Sequence, residues 1–191
     1  MNTFIKTSMV LLSISTLSLT ACIQKTPDTQ ASSAPATHDM QQMNGMTHMQ
    51  VTTDEAFIKG MIPHHQEAVD TSMLIAKNTQ NPELKKFAQA VVNGQSAEIE
   101  QMKKWHQTWF KKPYVADTTY MPMMGDVNQY ATGNQTADTQ YIKNMIVHHE
   151  GAVQMAQQAL GFTQRAEIKE MANAIVKTQT TEIVLLKSWL K

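Results

Sequence analysis

Aligned at a constant offset of 84, residues 57–106 and 141–190 share 20 identities in 50 positions without a gap. A chain that repeats itself at this period holds two copies of one supersecondary unit, and copies of that size bury their apolar faces against each other. The identical pairs include Ile58/Ile142, Met61/Met145, His64/His148, His65/His149, Ala68/Ala152, Gln95/Gln179, Glu98/Glu182 and Trp105/Trp189. Each copy breaks near its middle, at "NTQNPEL" (78–84) and "GFTQRAEI" (161–168), and Asn81 followed by Pro82 suits an N-cap with proline at the first helical position. Helices are predicted over 54–78, 82–110, 137–160 and 164–190. The first carries a stripe of Ile58, Met61, His65, Ala68, Ser72 and Ile75 at three-to-four spacing, and the second one of Leu84, Phe87/Ala88, Val91, Gln95, Glu98, Met102 and Trp105. Two hairpins sharing such faces predict an all-α fold, a four-helix bundle in up-down-up-down order, with the first and third helices parallel.

The segments outside the repeat read differently. "MNTFIKTSMVLLSISTLSLTAC" has one early lysine, an apolar run and small residues ending at Cys22, the pattern of a secretory signal over residues 1–21. "LTAC" resembles the lipobox of bacterial lipoproteins, which makes Cys22 the expected lipidated first residue and places the chain in the bacterial cell envelope, facing the periplasm. An ordinary signal peptide cut elsewhere is the alternative. Cys22 is the only cysteine, so no disulfide within the chain and no thiolate ligand is expected. Residues 22–53 are rich in Thr, Ser, Ala, Gln and Pro without apolar periodicity, the composition of a tether. The domain is expected over 54–191, as repeat one (54–110), a linker (111–136) punctuated by Pro113, Pro122, Gly125 and Gly133, and repeat two (137–191). Sixteen basic residues balance sixteen acidic ones, so the electrostatic footprint of a nucleic-acid binder is missing.

The helix stripes place His65 and His149 on the inward seam, with His64 and His148 about 100° around from them. Antiparallel pairing about a turn near residue 80 brings His65 level with Gln95 and Met61 beside Glu98. A turn near 164 does the same for His149 with Gln179 and Met145 with Glu182. A bundle layer of four imidazoles, two thioethers, two amides and two carboxylates costs a few kcal/mol per unpartnered group unless something satisfies it. A metal would do so; a hydrogen-bonded network of His, Gln, Glu and water is the other solution. Thioether and imidazole favour Cu(I), and no Glu-x-x-His of the di-iron kind occurs. Glu98 and Glu182 then suit outer partners that orient the histidine N–H groups. Met155 lies about 20° off the face of His148, two turns on, whereas the first repeat has Thr71 there, so the half-sites are unequal.

Methionine makes up 15 of the 191 residues, and some of it lies where no core exists to absorb it. The tether holds His38, Met40, Met43, Met46, His48 and Met49, and the linker holds Met121, Met123 and Met124. Flexible Met and His can wrap Cu(I) or Ag(I). In an up-down-up-down bundle the tether, Met102/His106 and the linker share one end, which predicts a collar of soft ligands at the mouth of the bundle.

"FIKGMIPHHQEAV" and "YIKNMIVHHEGAVQMA", followed by "QSAEIEQMKKW" and "QTTEIVLLKSW", resemble the family known as domain of unknown function 305. The resemblance covers about residues 54–191. It implies a ferritin-like bundle of duplicated hairpins and, through members of the CopM type, binding of Cu(I), with Ag(I) as second candidate, by Met61, His64, His65, Met145, His148, His149 and Met155. The leading expectation is a non-enzymatic, lipid-anchored copper-binding protein that sequesters Cu(I) or hands it to another copper-handling protein, contributing to metal tolerance. A ferritin-like metal-dependent oxidase and a structural lipoprotein with a metal-free histidine network stand as alternatives.

Overall fold

The computed structural model describes residues 50–116 and 122–191, and over them the chain is helical with no strand. The elements are α1 (Asp54–Asn78), α2 (Pro82–Phe110), α3 (Gln135–Phe162) and α4 (Ala166–Trp189), with a short 3₁₀ turn at Val127–Thr132 before α3. Their ends follow from local chemistry. The Thr53 side chain accepts from Ala56 N, and Asp54 and Glu55 complement the positive end of α1. Asn81 accepts from Glu83 N and Leu84 N ahead of Pro82. Asn134 caps α3 by accepting from Ala137 N, which starts that helix two residues before the expected 137. Thr79 and Thr163, identical in the two repeats, end α1 and α3 alike: each donates its backbone N–H to a carbonyl four residues back, Ile75 O and Ala159 O.

The two hairpins form as the duplication predicts, α1 on α2 and α3 on α4, and they join chiefly through α1 against α3. The direction of that contact corrects the expected topology. Val51 N donates to Gln158 Oε1 at 2.9 Å, the His64 and His148 rings stack at 3.7 Å, the Ser72 and Tyr141 hydroxyls bond at 2.7 Å, and Thr79 Oγ1 donates to Asp138 Oδ2 at 2.7 Å. Numbers rising along α1 meet numbers falling along α3, so these helices are antiparallel and the order is up-down-down-up.

The physical reason is the connection. An up-down-up-down bundle turns from α2 to α3 with a short loop, whereas the described parts of the connection, 111–116 and 122–134, lie along α1, whose 25 residues span about 37 Å. A single long crossover of this kind is what ferritin-like bundles have. It passes α1 so closely that a Cβ on Gly133 (φ 62°) would meet Asn78 O at 2.3 Å, and only glycine fits there.

Two apolar clusters fill the bundle. One gathers Phe57, Ile58, Met61, Met102, Met155 and Ile168; the other gathers Ile75, Leu84, Met124, Tyr130, Tyr141 and Met145. The paired histidines fall midway along α1 and α3, where the two clusters meet. No helix among the described residues is long and apolar enough to cross a membrane.

Candidate metal centre

The four paired imidazoles form one buried row, His65–His64–His148–His149, with ring centroids 6.1, 3.7 and 6.2 Å apart in turn. None of the four is exposed. His64 and His148 were expected beside the seam rather than on it; they are buried because the antiparallel approach of α1 and α3 covers that second face. His65 and His149 turn the other way, each toward its own hairpin partner.

Oxygen atoms lie close to Nε2 of His65, His148 and His149. His65 Nε2 donates to Glu98 Oε2 at 2.7 Å, and His149 Nε2 lies 2.8 Å from Glu182 Oε2. His148 Nε2 donates to the His64 carbonyl at 2.9 Å and lies 3.7 Å from Glu67 Oε2. A proton held on Nε2 leaves the Nδ1 lone pair as the free donor. The Nδ1 atoms of His65, His148 and His149 are buried without a hydrogen-bond partner. His149 Nε2, close to Glu182, makes no hydrogen bond either; unbonded nitrogens in a core are costly, and they are what a metal would use. Burial drives His64 and His148 well below the ordinary histidine value, and the charges of neighbouring imidazoles push the same way. Both are therefore neutral at physiological pH, the protonation state that binds metal.

The acids sit one turn from their expected register. Glu98, not Gln95, meets His65, and Glu182, not Gln179, meets His149. Gln95 and Gln179 instead face each other with Glu98 and Glu182 across a cavity of about 90 Å³ between α2 and α4, and their Oε1 atoms are buried without a hydrogen-bond partner.

Met61 and Met145 are fully buried one helical turn before their histidine pairs, on the same helix face. Met155 is buried as well, and a Cβ at Gly60 would stand 3.7 Å from its sulfur. Its counterpart Thr71 bonds its hydroxyl to the Glu67 and Ala68 carbonyls, so the first repeat offers no soft donor there. Among the described residues no three of His, Cys, Asp and Glu converge as a metal-binding group. The donors on offer beside the row are imidazole nitrogen and thioether sulfur, which suit a soft ion.

The remaining expected ligands divide into three groups. Cys22, His38, Met40, Met43, Met46, His48, Met49 and Met121 lie outside the described residues. Met124 is fully buried in the core with Tyr130 and Tyr141. Met123, half-buried, comes to α3 at Gly151, where its sulfur would stand 3.5 Å and His64 Nε2 3.2 Å from an added Cβ. The expected collar therefore does not include Met123 and Met124: the crossover carries them away from the end that holds Met102 and His106. Met102 packs in the core. His106 bonds Lys112 O through Nδ1 and has Glu55 Oε1 3.3 Å from Nε2.

Sequence reasoning missed Glu67, Gly151, Tyr130 and Asn144. Glu67 accepts from Met124 N, and Tyr130 and Asn144 both donate to Met124 O. Their signal was the reverse of the one that found the histidines. Glu67/Gly151 is a mismatch inside the otherwise repeated "HHQEAV" and "HHEGAV".

The family model for the domain of unknown function DUF305 matches residues 54–190. Among solved structures, CopM in the Cu(I)-bound form is 38% identical at a TM-score of 0.67, with 73% of this chain and 96% of that chain covered. CopM in the Ag-bound form, by soaking, is 36% identical at 0.63, over 73% and 96%. A DUF305 fragment from Deinococcus radiodurans is 28% identical at 0.63, over the same shares. No curated protein matches the chain.

Proposed function

The chain belongs to the DUF305 family, and from that premise we propose that it is a Cu(I)-binding protein of the bacterial cell envelope that sequesters or hands on Cu(I), and Ag(I) by the same softness, without catalysing a reaction. Similarity to CopM over nearly all of that protein supports a metal-handling role. The observation that carries the reading to a soft ion is the buried imidazole row with Nδ1 of His65, His148 and His149 unbonded, set one turn from the buried thioethers of Met61 and Met145. Lipidation at Cys22 would hold the domain at a membrane, with the residues after it as the tether; the expected tether ends before 53, because Val51 is buried and bonded to Gln158 and Thr53 caps α1. Met40, Met43, Met46, His48, Met49 and Met121 are proposed as accessory ligands that raise the number of ions bound per chain.

The test is an anaerobic titration of the mature chain against a chromogenic Cu(I) chelator, paired with thermal melts. A ligand that binds only the folded state stabilises it by about 2.7 kcal/mol at a hundredfold excess over Kd, so Cu(I) should raise the melting temperature by several degrees. A variant with all four paired histidines changed to alanine should lose most of that rise. The histidine–glutamate bonds also favour a second reading, a metal-free polar network, in which Cu(I) leaves the melt unchanged. Oxygen uptake during Cu(I) turnover would speak for an oxidase instead.

A further inference from the structure

The two repeats differ most sharply where the crossover meets them. Position 67 of the first repeat is glutamate, and the matching position 151 of the second is glycine. Glycine is a poor choice in the middle of a 28-residue helix, and its backbone does not have the left-handed conformation that would require it. What it provides is space. A Cβ there would stand 3.2 Å from His64 Nε2, 3.3 Å from Met123 Cε and 3.5 Å from Met123 Sδ, the first two tighter than ordinary contact. A fully buried imidazole and a half-buried thioether therefore converge on one point over bare backbone.

Met123 is held there by its neighbour. The Met124 side chain is fully buried, its N–H donates to Glu67, and its carbonyl accepts from Tyr130 and Asn144. Asn144 also donates to the Tyr130 hydroxyl at 2.8 Å. Gln129 Nε2 donates to the same Met124 carbonyl at 3.2 Å, so four hydrogen bonds to the Met124 backbone and a core side chain fix the chain one residue from the thioether. Glu67, the residue opposite the glycine in the duplication, thus ties down the crossover that the glycine receives.

We infer that Met123 and His64, brought together over Gly151, form a thioether–imidazole site for a soft monovalent cation, the port through which the ion passes from solvent to the buried histidine row. The inference rests on the proposed Cu(I) function and adds to it an asymmetry: loading proceeds from the α3 side of the crossover alone, because His148, the twofold mate of His64, faces the Glu67 carboxylate instead of a thioether. Met123 is the only one of these donors with solvent access, and His64 stacks on His148 at 3.7 Å, so the ion moves along adjacent rings.

The test uses the full mature chain under anaerobic conditions, with Cu(I) and Ag(I) as probes. Met123→Leu should weaken Cu(I) binding at least about tenfold, the smallest loss seen when even an outer partner of a ligand is removed, and lower the number of sulfur neighbours seen by X-ray absorption at copper. Gly151→Ala should do the same by displacing the thioether, while helix content by circular dichroism is kept, since alanine is the better helix former. Met73→Leu, at an exposed position outside the site, should leave binding unchanged. If the wild-type chain binds Cu(I) and both variants match it in affinity and sulfur count, the Met123 port is wrong and the proposed function stands. If the wild-type chain binds no Cu(I), both fall.

Discussion

His65 and His149 show how one residue type serves two purposes at once. Each sets its Nε2 beside a glutamate, through a hydrogen bond at His65 and at 2.8 Å at His149, and leaves Nδ1 buried without a hydrogen-bond partner. Changing Glu98 and Glu182 to glutamine keeps the shape but removes the charge that raises the basicity of the rings. The proposed Cu(I) affinity should then fall 10- to 100-fold with helix content intact, read by chelator competition and circular dichroism. Met145 allows a cleaner separation of binding from packing. Leucine replaces methionine in a core at nearly constant volume, for less than about 1.5 kcal/mol, yet supplies no sulfur. Met145→Leu should shift the urea midpoint slightly while weakening Cu(I) binding about tenfold, by analogy with lost outer partners; a variant that binds as well as wild type would place Met145 in the core only. These residues were legible in the sequence because they repeat at a fixed offset. Gly151 and Glu67 were not, because their roles depend on a crossover whose path no periodicity encodes.

At the level of elements, helix existence, type and most boundaries were readable, and direction was not. An amphipathic stripe looks the same to a parallel and an antiparallel neighbour, so Ile58, Met61 and His65 specify a buried face without saying which way α3 runs. The information lay in the linker, where 111–134 is long enough to return along α1, and in side chains such as Ser72 and Tyr141 whose pairing exists in one direction only. That pair gives a test. Tyr141 is fully buried, and its hydroxyl meets Ser72 Oγ at 2.7 Å. Tyr141→Phe strands the serine hydroxyl and should cost about 1–3 kcal/mol in urea unfolding, whereas adding Ser72→Ala removes the stranded group and should recover much of the loss. Parallel helices would keep the two sites apart, and their effects would simply add.

Across the whole molecule, a nearly twofold scaffold carries an unequal site. The histidine row is symmetric, but Met155 faces Thr71 in the duplication, Gly151 faces Glu67, and one crossover serves both halves. The row also makes the metal-free fold sensitive to acid, with a sign fixed by burial. His64 and His148 have folded-state values well below the ordinary 6.5, first through desolvation and then through neighbouring imidazoles. In the unfolded chain both titrate near 6.5. Above that value neither state is protonated, and these two groups leave stability independent of pH. Below it the unfolded chain takes up two protons that the folded core refuses, so stability falls as pH drops, by a slope approaching about 1.4 kcal/mol per pH unit for each histidine. Urea unfolding of the metal-free chain between pH 8 and 5 should give a flat plateau down to about 6.5 and a decline below it. Replacing His64 and His148 together with glutamine should flatten the decline. A metal-free chain whose stability stays level to pH 5 would mean that protons reach these two rings in the folded state, and the row would not be the sealed, neutral donor set that the proposed function needs.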